Sequence, residues 1–132
     1  MVINLGRNLM KNHSSRFLDL VDEAKKHIKE ITPQALKNKI DHKEHFTLID
    51  VREDHEWSSG HIPTAMHIGR GIIERDIEKK ISDVHTPIVV YCSGGFRCAL
   101  VADSLQKMGY TEVCSLGTGM QGWIDEGYGI KK

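Results

Sequence analysis

Cysteine is scarce in this chain, with three among 132 residues. So odd and sparse a set excludes the disulfide framework of a small secreted domain, and a reducing cytoplasm is the expected location. Net charge is missing too. Lys plus Arg and Asp plus Glu both number 18, so the formal net charge is zero with histidines neutral. That balance argues against an electrostatic partnership with nucleic acid or with an anionic membrane surface. No apolar run approaches the ~20 residues that span a bilayer. The first fifteen residues scatter Asn, Arg, Lys and His, and lack the continuous apolar centre of a secretory signal. Metal-ligand spacing is also lacking. The eight histidines come with no Cys-x-x-Cys or His-Glu-x-x-His pattern. His42 and His45, and separately His61 and His67, read as solvated surface, so no metal is expected. There is no internal repeat, low-complexity tract or second domain.

What is present suits one soluble domain with a real core: 39% hydrophobic and 27% charged residues in a chain of this length. Residues 1–16 read as a flexible tail, in which Met1 and Met10 are both candidate starts. Residues 17–30 read as an N-terminal helix. Phe17, Val21, Ala24 and Ile28 recur at helical spacing, Leu18 and Leu20 widen the stripe, and Ser14 or Ser15 serves as N-cap. Such a helix packs on its own domain or offers a docking surface, and the first is the commoner outcome. The main domain is expected over 31–130. It begins with a short edge strand at Glu30-Ile31 and a helix opened by Thr32-Pro33 that carries Leu36 and Ile40 inward. Strands follow at Phe46–Val51, Ala65–Ile68, Pro87–Tyr91 and Val113–Leu116. Helices are expected at Glu53–Ser59, Ile72–Ile81 and Cys98–Met108, the last stopped by Gly109. Thr118-Gly119-Met120-Gln121 reads as a capping box before a final helix bearing Trp123 and Ile124. Apolar strands alternating with helices imply an α/β fold, a mostly parallel sheet covered on both faces. Function in such sheets gathers at the carboxyl ends of strands, where both Asp50 and Cys92 lie.

The chemistry-bearing segment is Cys92-Ser93-Gly94-Gly95-Phe96-Arg97, between a buried strand and a helix N-terminus. If residues 93–97 curl around the Cys92 sulfur, Gly94 and Gly95 permit backbone conformations that turn successive N–H groups inward. The helix adds its free N–H groups and the positive end of its dipole. Arg97 adds a permanent charge and a planar fork suited to oxyanions. Together these should pull the Cys92 pKa below its free value of about 8.5. The site residues read here are therefore Cys92 as nucleophile and Ser93, Gly94, Gly95, Phe96 and Arg97 as the binding loop. Phe96 stands either at the pocket mouth, disfavouring small hydrophilic acceptors, or in the core.

The loop, the segment Leu48-Ile49-Asp50-Val51-Arg52-Glu53, the segment Gly60-His61-Ile62-Pro63-Thr64-Ala65 and the closing Gly119-Met120-Gln121-Gly122-Trp123 with Gly127-Tyr128 resemble a single-domain rhodanese. The resemblance covers about residues 31–130. It implies the rhodanese-like three-layer fold, a five-stranded mostly parallel sheet between helices, to which the N-terminal helix is an addition. It also implies transfer of sulfane sulfur from thiosulfate or a persulfide donor, through a Cys92 persulfide, to a thiol or cyanide acceptor. No cofactor beyond that covalent persulfide is expected. The partners implied are a small anionic sulfur donor and a thiol or protein sulfur acceptor. Related phosphatases close their loop with Cys-x5-Arg around a phosphate. The shorter Cys-x4-Arg here suits a sulfur atom better.

Two positions depart from the resemblance. Many similar single-domain members have serine where this chain has Cys98, and often glycine where it has Thr64. Cys98 is either a resolving thiol that leaves a disulfide with Cys92 or a small side chain packed away from the pocket, and packing is the preferred reading. Asp50 and Arg52 read as a structural anchor rather than as catalysts. His61 belongs to a structural turn. Trp57 and Met66 are core residues before they are rim residues, and Cys114 packs in its strand. Two other functions compete with sulfur transfer. One is Cys92/Cys98 thiol redox or arsenate-type reduction, and the other is a binding or sulfur-carrier module.

Overall fold

The computed structural model describes residues 13–132. Residues 1–12 of the expected tail, with Met10, lie outside the described residues. Four largely apolar runs become the last four strands of the chain, and each is followed by a turn and a helix. Helix α1 spans Ser15–Lys25, α2 Pro33–Asp41, α3 Asp54–Ser59, α4 Ile73–Lys80, α5 Phe96–Lys107 and α6 Gly119–Asp125. Strand β1 spans Lys29–Ile31, β2 Thr47–Asp50, β3 Met66–His67, β4 Ile88–Tyr91 and β5 Val113–Leu116. The five strands form one sheet in the order β1-β5-β4-β2-β3, parallel at every pairing. β4, buried along its whole length, lies at the centre.

Strand residues alternate between the faces, so each face has its own core. Ile49, Ile88, Val90 and Val113 pack with Ile73 and Ile77 of α4 and with Val101 and Leu105 of α5. Leu48, Val89, Tyr91 and Leu116 face the other way, onto Leu36 of α2 and Met120 and Trp123 of α6. α1 lies over α5, where Val21 and Ala24 meet Ala99 and Leu100. The N-terminal helix therefore packs on its own domain.

Several element boundaries differ from expectation, and α5 starts at Phe96, two residues before the expected Cys98. The Phe17 N–H donates to the Ser14 hydroxyl at 3.4 Å, which starts α1 at Ser15, and the helix stops at Lys25 instead of reaching residue 30. The residues beyond it extend because Lys29, Glu30 and Ile31 pair with Cys114, Ser115 and Leu116 of β5. At α6 the Thr118 side chain makes no capping hydrogen bond. The first N–H groups of α6 go instead to the cysteine loop, Met120 to the Cys92 carbonyl at 2.8 Å and Gln121 to that of Ser93 at 3.0 Å. Gly119, with φ +65°, permits this approach, since a Cβ there would strike the same two carbonyls. The loop is clasped between two helix N-termini.

Candidate active site

Cys92 follows the last residue of β4 and is 1% exposed. The chain turns at Gly95, whose φ of +95° and close approach to the Gly117 carbonyl leave no room for a side chain. α5 begins one residue later. This turn aims the Gly95 N–H at the Cys92 sulfur at 3.2 Å, and the first turn of α5 adds the Cys98 N–H at 3.4 Å. The cage expected from residues 93–97 is thus corrected. One donor comes from within that range and the other from Cys98, because the helical twist carries the intervening N–H groups away from Sγ.

Cys98 does not turn away from the pocket residue. Its sulfur lies 3.5 Å from that of Cys92, within hydrogen-bonding distance. The Ser115 hydroxyl, fully buried on β5, donates to Cys98 Sγ at 3.0 Å. The Cys98 thiol, the N–H groups of Cys98 and Gly95, and the Arg97 charge bring the Cys92 pKa below the ordinary thiol range against the opposing effect of burial. The neighbouring Cys92 and its own burial push Cys98 the other way, so it keeps its proton. One thiolate and one thiol share the site.

Arg97 is not free to meet an anion with its whole fork. Its Nη1 and Nη2 donate to the two carboxylate oxygens of Glu56 at 2.8 and 3.1 Å, and Nη2 also donates to Ser93 Oγ at 3.1 Å. The Ser93 hydroxyl in turn donates to Glu56 Oε2 at 2.9 Å. The Arg97 guanidinium holds the Glu56 carboxyl down to about 2. Glu56 was not among the residues expected at the site. It stands in the first turn of α3, where it also accepts the Glu53 N–H at 3.0 Å, so its sequence position reads fully as a helix cap. Ser93 lies in the loop and Arg97 in the first turn of α5, and both face this carboxylate.

Above the sulfur opens a cleft of about 810 Å³, walled by the cysteine loop, by Phe17 and Lys25 of α1, and by Gln121 and Asp125 of α6. Phe96 lines the cleft and packs on α1 at once. Its ring lies 6.4 Å from that of Phe17 and 4.7 Å from that of His13, with Lys25 Nζ 5.8 Å from its centroid. Gly94 also lines the cleft. The added N-terminal helix is therefore a wall of the site.

These features coincide with a known family. Its family model, the Rhodanese-like domain, matches residues 32–126. The chain belongs to this family. A candidate sulfurtransferase, YtwF of Bacillus subtilis, is 41% identical to this rhodanese-like chain over 99 residues, 75% of the chain and 93% of YtwF. A candidate sulfur carrier protein of the same organism, YrkF, is 33% identical over 98 residues, 73% of the chain but 51% of YrkF. The chain thus spans about half of one curated relative and nearly all of the other. Among solved structures, the polysulfide-sulfur transferase homodimer of Wolinella succinogenes superposes with a TM-score of 0.75 at 26% identity, covering 93% of this chain and 92% of that one.

Asp50, Arg52, Trp57, His61, Thr64, Met66 and Cys114 all lie outside the cleft. Asp50 is fully buried and accepts four hydrogen bonds from three Arg52 donors, its N–H, Nε and Nη2, at 2.8–3.1 Å. Arg52 Nη2 also donates to the Gly60 carbonyl at 2.7 Å, tying the end of β2 to the turn that follows α3. His61 holds that turn through paired backbone hydrogen bonds with Lys131 and stacks on Trp57 at 3.6 Å. Trp57 also stacks on His67, and Met66 packs on the core, so neither Trp57 nor Met66 reaches the cleft. Thr64 takes φ +78°, a left-handed backbone that explains why glycine suits this position. Cys114 is half-buried against the α2–α6 core. Among the described residues no cluster of three or more His, Cys, Asp or Glu is placed to hold a metal ion. No helix among them is long and apolar enough to cross a membrane.

Proposed function

We propose that this chain is a cytoplasmic sulfurtransferase whose Cys92 carries the transferred sulfur as a persulfide. The observation that carries the reading is the Cys92 sulfur itself, held at the floor of the cleft by the Gly95 and Cys98 N–H groups and favoured as the thiolate. A thiolate in such a setting is already a nucleophile and needs no general base. Cys92 attacks the sulfane sulfur of thiosulfate or of a persulfide. The donor's S–S bond breaks and its electron pair leaves with sulfite or with the donor thiolate. The outer sulfur then stands in the cleft, where an acceptor thiolate or cyanide removes it and returns Cys92 as thiolate. A covalent intermediate makes the course ping-pong. Ser93 and Arg97, fixed by Glu56, position the loop, and Phe96 with α1 shapes the approach of the acceptor.

Intact mass after incubation with thiosulfate or with cysteine persulfide tests this reading. The wild type gains one sulfur atom that an added thiol removes, and Cys92→Ser gains none. The reading is overturned if, with either donor, the wild type neither gains an acceptor-labile sulfur nor releases one as hydrosulfide.

A further inference from the structure

Cys98 is a buried nucleophile that the transfer cycle leaves unused. Its sulfur lies 3.5 Å from Cys92 Sγ and is 0% exposed, and it takes no part in lining the cleft. The two N–H donors and Cys98 crowd the protein side of Cys92 Sγ, so a sulfur added to Cys92 extends into the cleft. With the added sulfur on the cleft side, Cys98 would stand behind the inner sulfur, on the side away from the outer one. Displacement at a disulfide-type sulfur runs in line, with nucleophile and leaving group on opposite sides of the sulfur attacked. A closure of about 1.5 Å would bring the pair to the disulfide bond length of about 2.05 Å.

Building on the sulfurtransferase reading, we infer that Cys98 is an internal acceptor that discharges the Cys92 persulfide as hydrosulfide when no external thiol reaches the cleft. The Cys98 sulfur attacks Cys92 Sγ and the Cys92–Cys98 bond forms. The bond between Cys92 Sγ and the outer sulfur breaks, and its electron pair leaves with that outer sulfur. The Cys98 proton passes to the leaving sulfur, so persulfide anion plus thiol becomes disulfide plus hydrosulfide. The outer sulfur is reduced and the two cysteines are oxidised, with no other reactant. An external dithiol then reduces the Cys92–Cys98 disulfide and is itself oxidised to its cyclic disulfide. The Ser115 hydroxyl, 3.0 Å from Cys98 Sγ, supports negative charge on the attacking sulfur as its proton departs. The contact that holds Cys92 as thiolate before loading becomes the line of attack after it.

The experiment uses the full chain, reduced, loaded with sulfur from cysteine persulfide, freed of small thiols under anaerobic conditions and followed over time. Wild type releases one hydrosulfide per chain and ends two hydrogen atoms lighter than the reduced protein. Trypsin cuts after Arg97, between the two cysteines, so the product appears as peptide 81–97 joined to peptide 98–107. This map needs no variant and stands even if a substitution disturbs folding. Cys98→Ser keeps its added sulfur longer by about tenfold or more, the loss expected when a nucleophile already in contact is removed. Cys114→Ser behaves as wild type. Dithiothreitol restores the reduced mass and the capacity to load. The inference falls if the wild type holds its persulfide as long as Cys98→Ser does, or if hydrosulfide leaves without the 81–97 to 98–107 link. If the wild type takes up no sulfur at all, the sulfurtransferase reading itself fails, a result distinct from either of those.

Discussion

Glu56 governs how much positive charge the cleft shows to an incoming donor. Its carboxylate saturates the Arg97 fork at 2.8 and 3.1 Å, so the cation nearest the nucleophile is nearly cancelled. Replacement by glutamine keeps the shape. Glutamine at the same helix position still accepts the Glu53 N–H that Glu56 accepts at 3.0 Å, so α3 keeps its cap. What changes is one unit of charge. Taking a separation of about 8 Å between a donor at Cys92 and the carboxylate, and an effective dielectric of about 40, each unit charge on the donor gains ~1 kcal/mol. Thiosulfate carries two negative charges and cysteine persulfide carries one net negative charge. Glu56→Gln should therefore raise kcat/KM for sulfur uptake from thiosulfate, relative to cysteine persulfide, by about threefold to fivefold at low salt.

The assay is steady-state sulfur transfer with each donor at fixed acceptor, repeated across ionic strength. The gain should collapse near 1 M salt, where the Debye length falls to about 3 Å. An unchanged donor ratio, or equal losses with both donors, would refute the electrostatic account. Equal losses would show that the carboxylate matters only for holding Arg97 in place.

Two further predictions concern stability. Asp50→Ala leaves the Arg52 guanidinium, 6% exposed, without its carboxylate and should lower the unfolding free energy by about 3–5 kcal/mol in a urea titration. Activity per folded molecule should hold, because Asp50 does not line the cleft; loss of kcat without loss of stability would return Asp50 to the catalytic machinery. Glu56 sets an acid limit. Its folded pKa of about 2 lies below the usual carboxylate value of 4.5, so its contribution is complete above that value and is lost as pH falls toward 2. The full shift corresponds to ~3 kcal/mol, and with the pair about a quarter exposed, solvent screening leaves about 1–2 kcal/mol. Wild type should lose that increment between pH 4.5 and 2 in acid denaturation profiles while Glu56→Gln does not; parallel profiles would deny the pair its stabilising role.

Much of the fold was legible because its signals are local. Ile88–Tyr91 is apolar and largely β-branched, as a strand buried on both faces must be, and Thr32-Pro33 starts α2 with a side-chain cap and a proline in the first turn. The expectations that failed depended on partners distant in sequence. β1 exists because three residues find β5 more than 80 positions later, so the spacing of Ile28 mistakenly lengthened α1. Thr118 looked like a cap, but the N–H groups it would have taken belong to the Cys92 and Ser93 carbonyls. Glu56 was invisible for the same reason. Its local role as a helix-capping residue is complete, and its bond to Arg97 spans 41 positions.

The site's charges explain how one thiolate can be stabilised in a loop whose arginine is already occupied. Arg97 contributes at a distance, after the thiol and the two N–H groups that touch Cys92 Sγ. Neutral donors at 3.2–3.5 Å stabilise the thiolate without drawing every anion in solution to it. Donor selection then falls to the walls, where Phe96 and Phe17 present apolar surface, and Lys25 and Asp125 present one charge of each sign. On the proposed sulfurtransferase reading, such walls should favour a sulfur carried on an organic body with both charges over a bare dianion, which the donor comparison above tests. Cys98 follows from the same logic. In this position serine could also donate a hydrogen bond to the thiolate, but only cysteine can go on to form a bond to its sulfur. If Cys92 carries a persulfide as proposed, sulfur at this position would decide what becomes of it when no acceptor arrives.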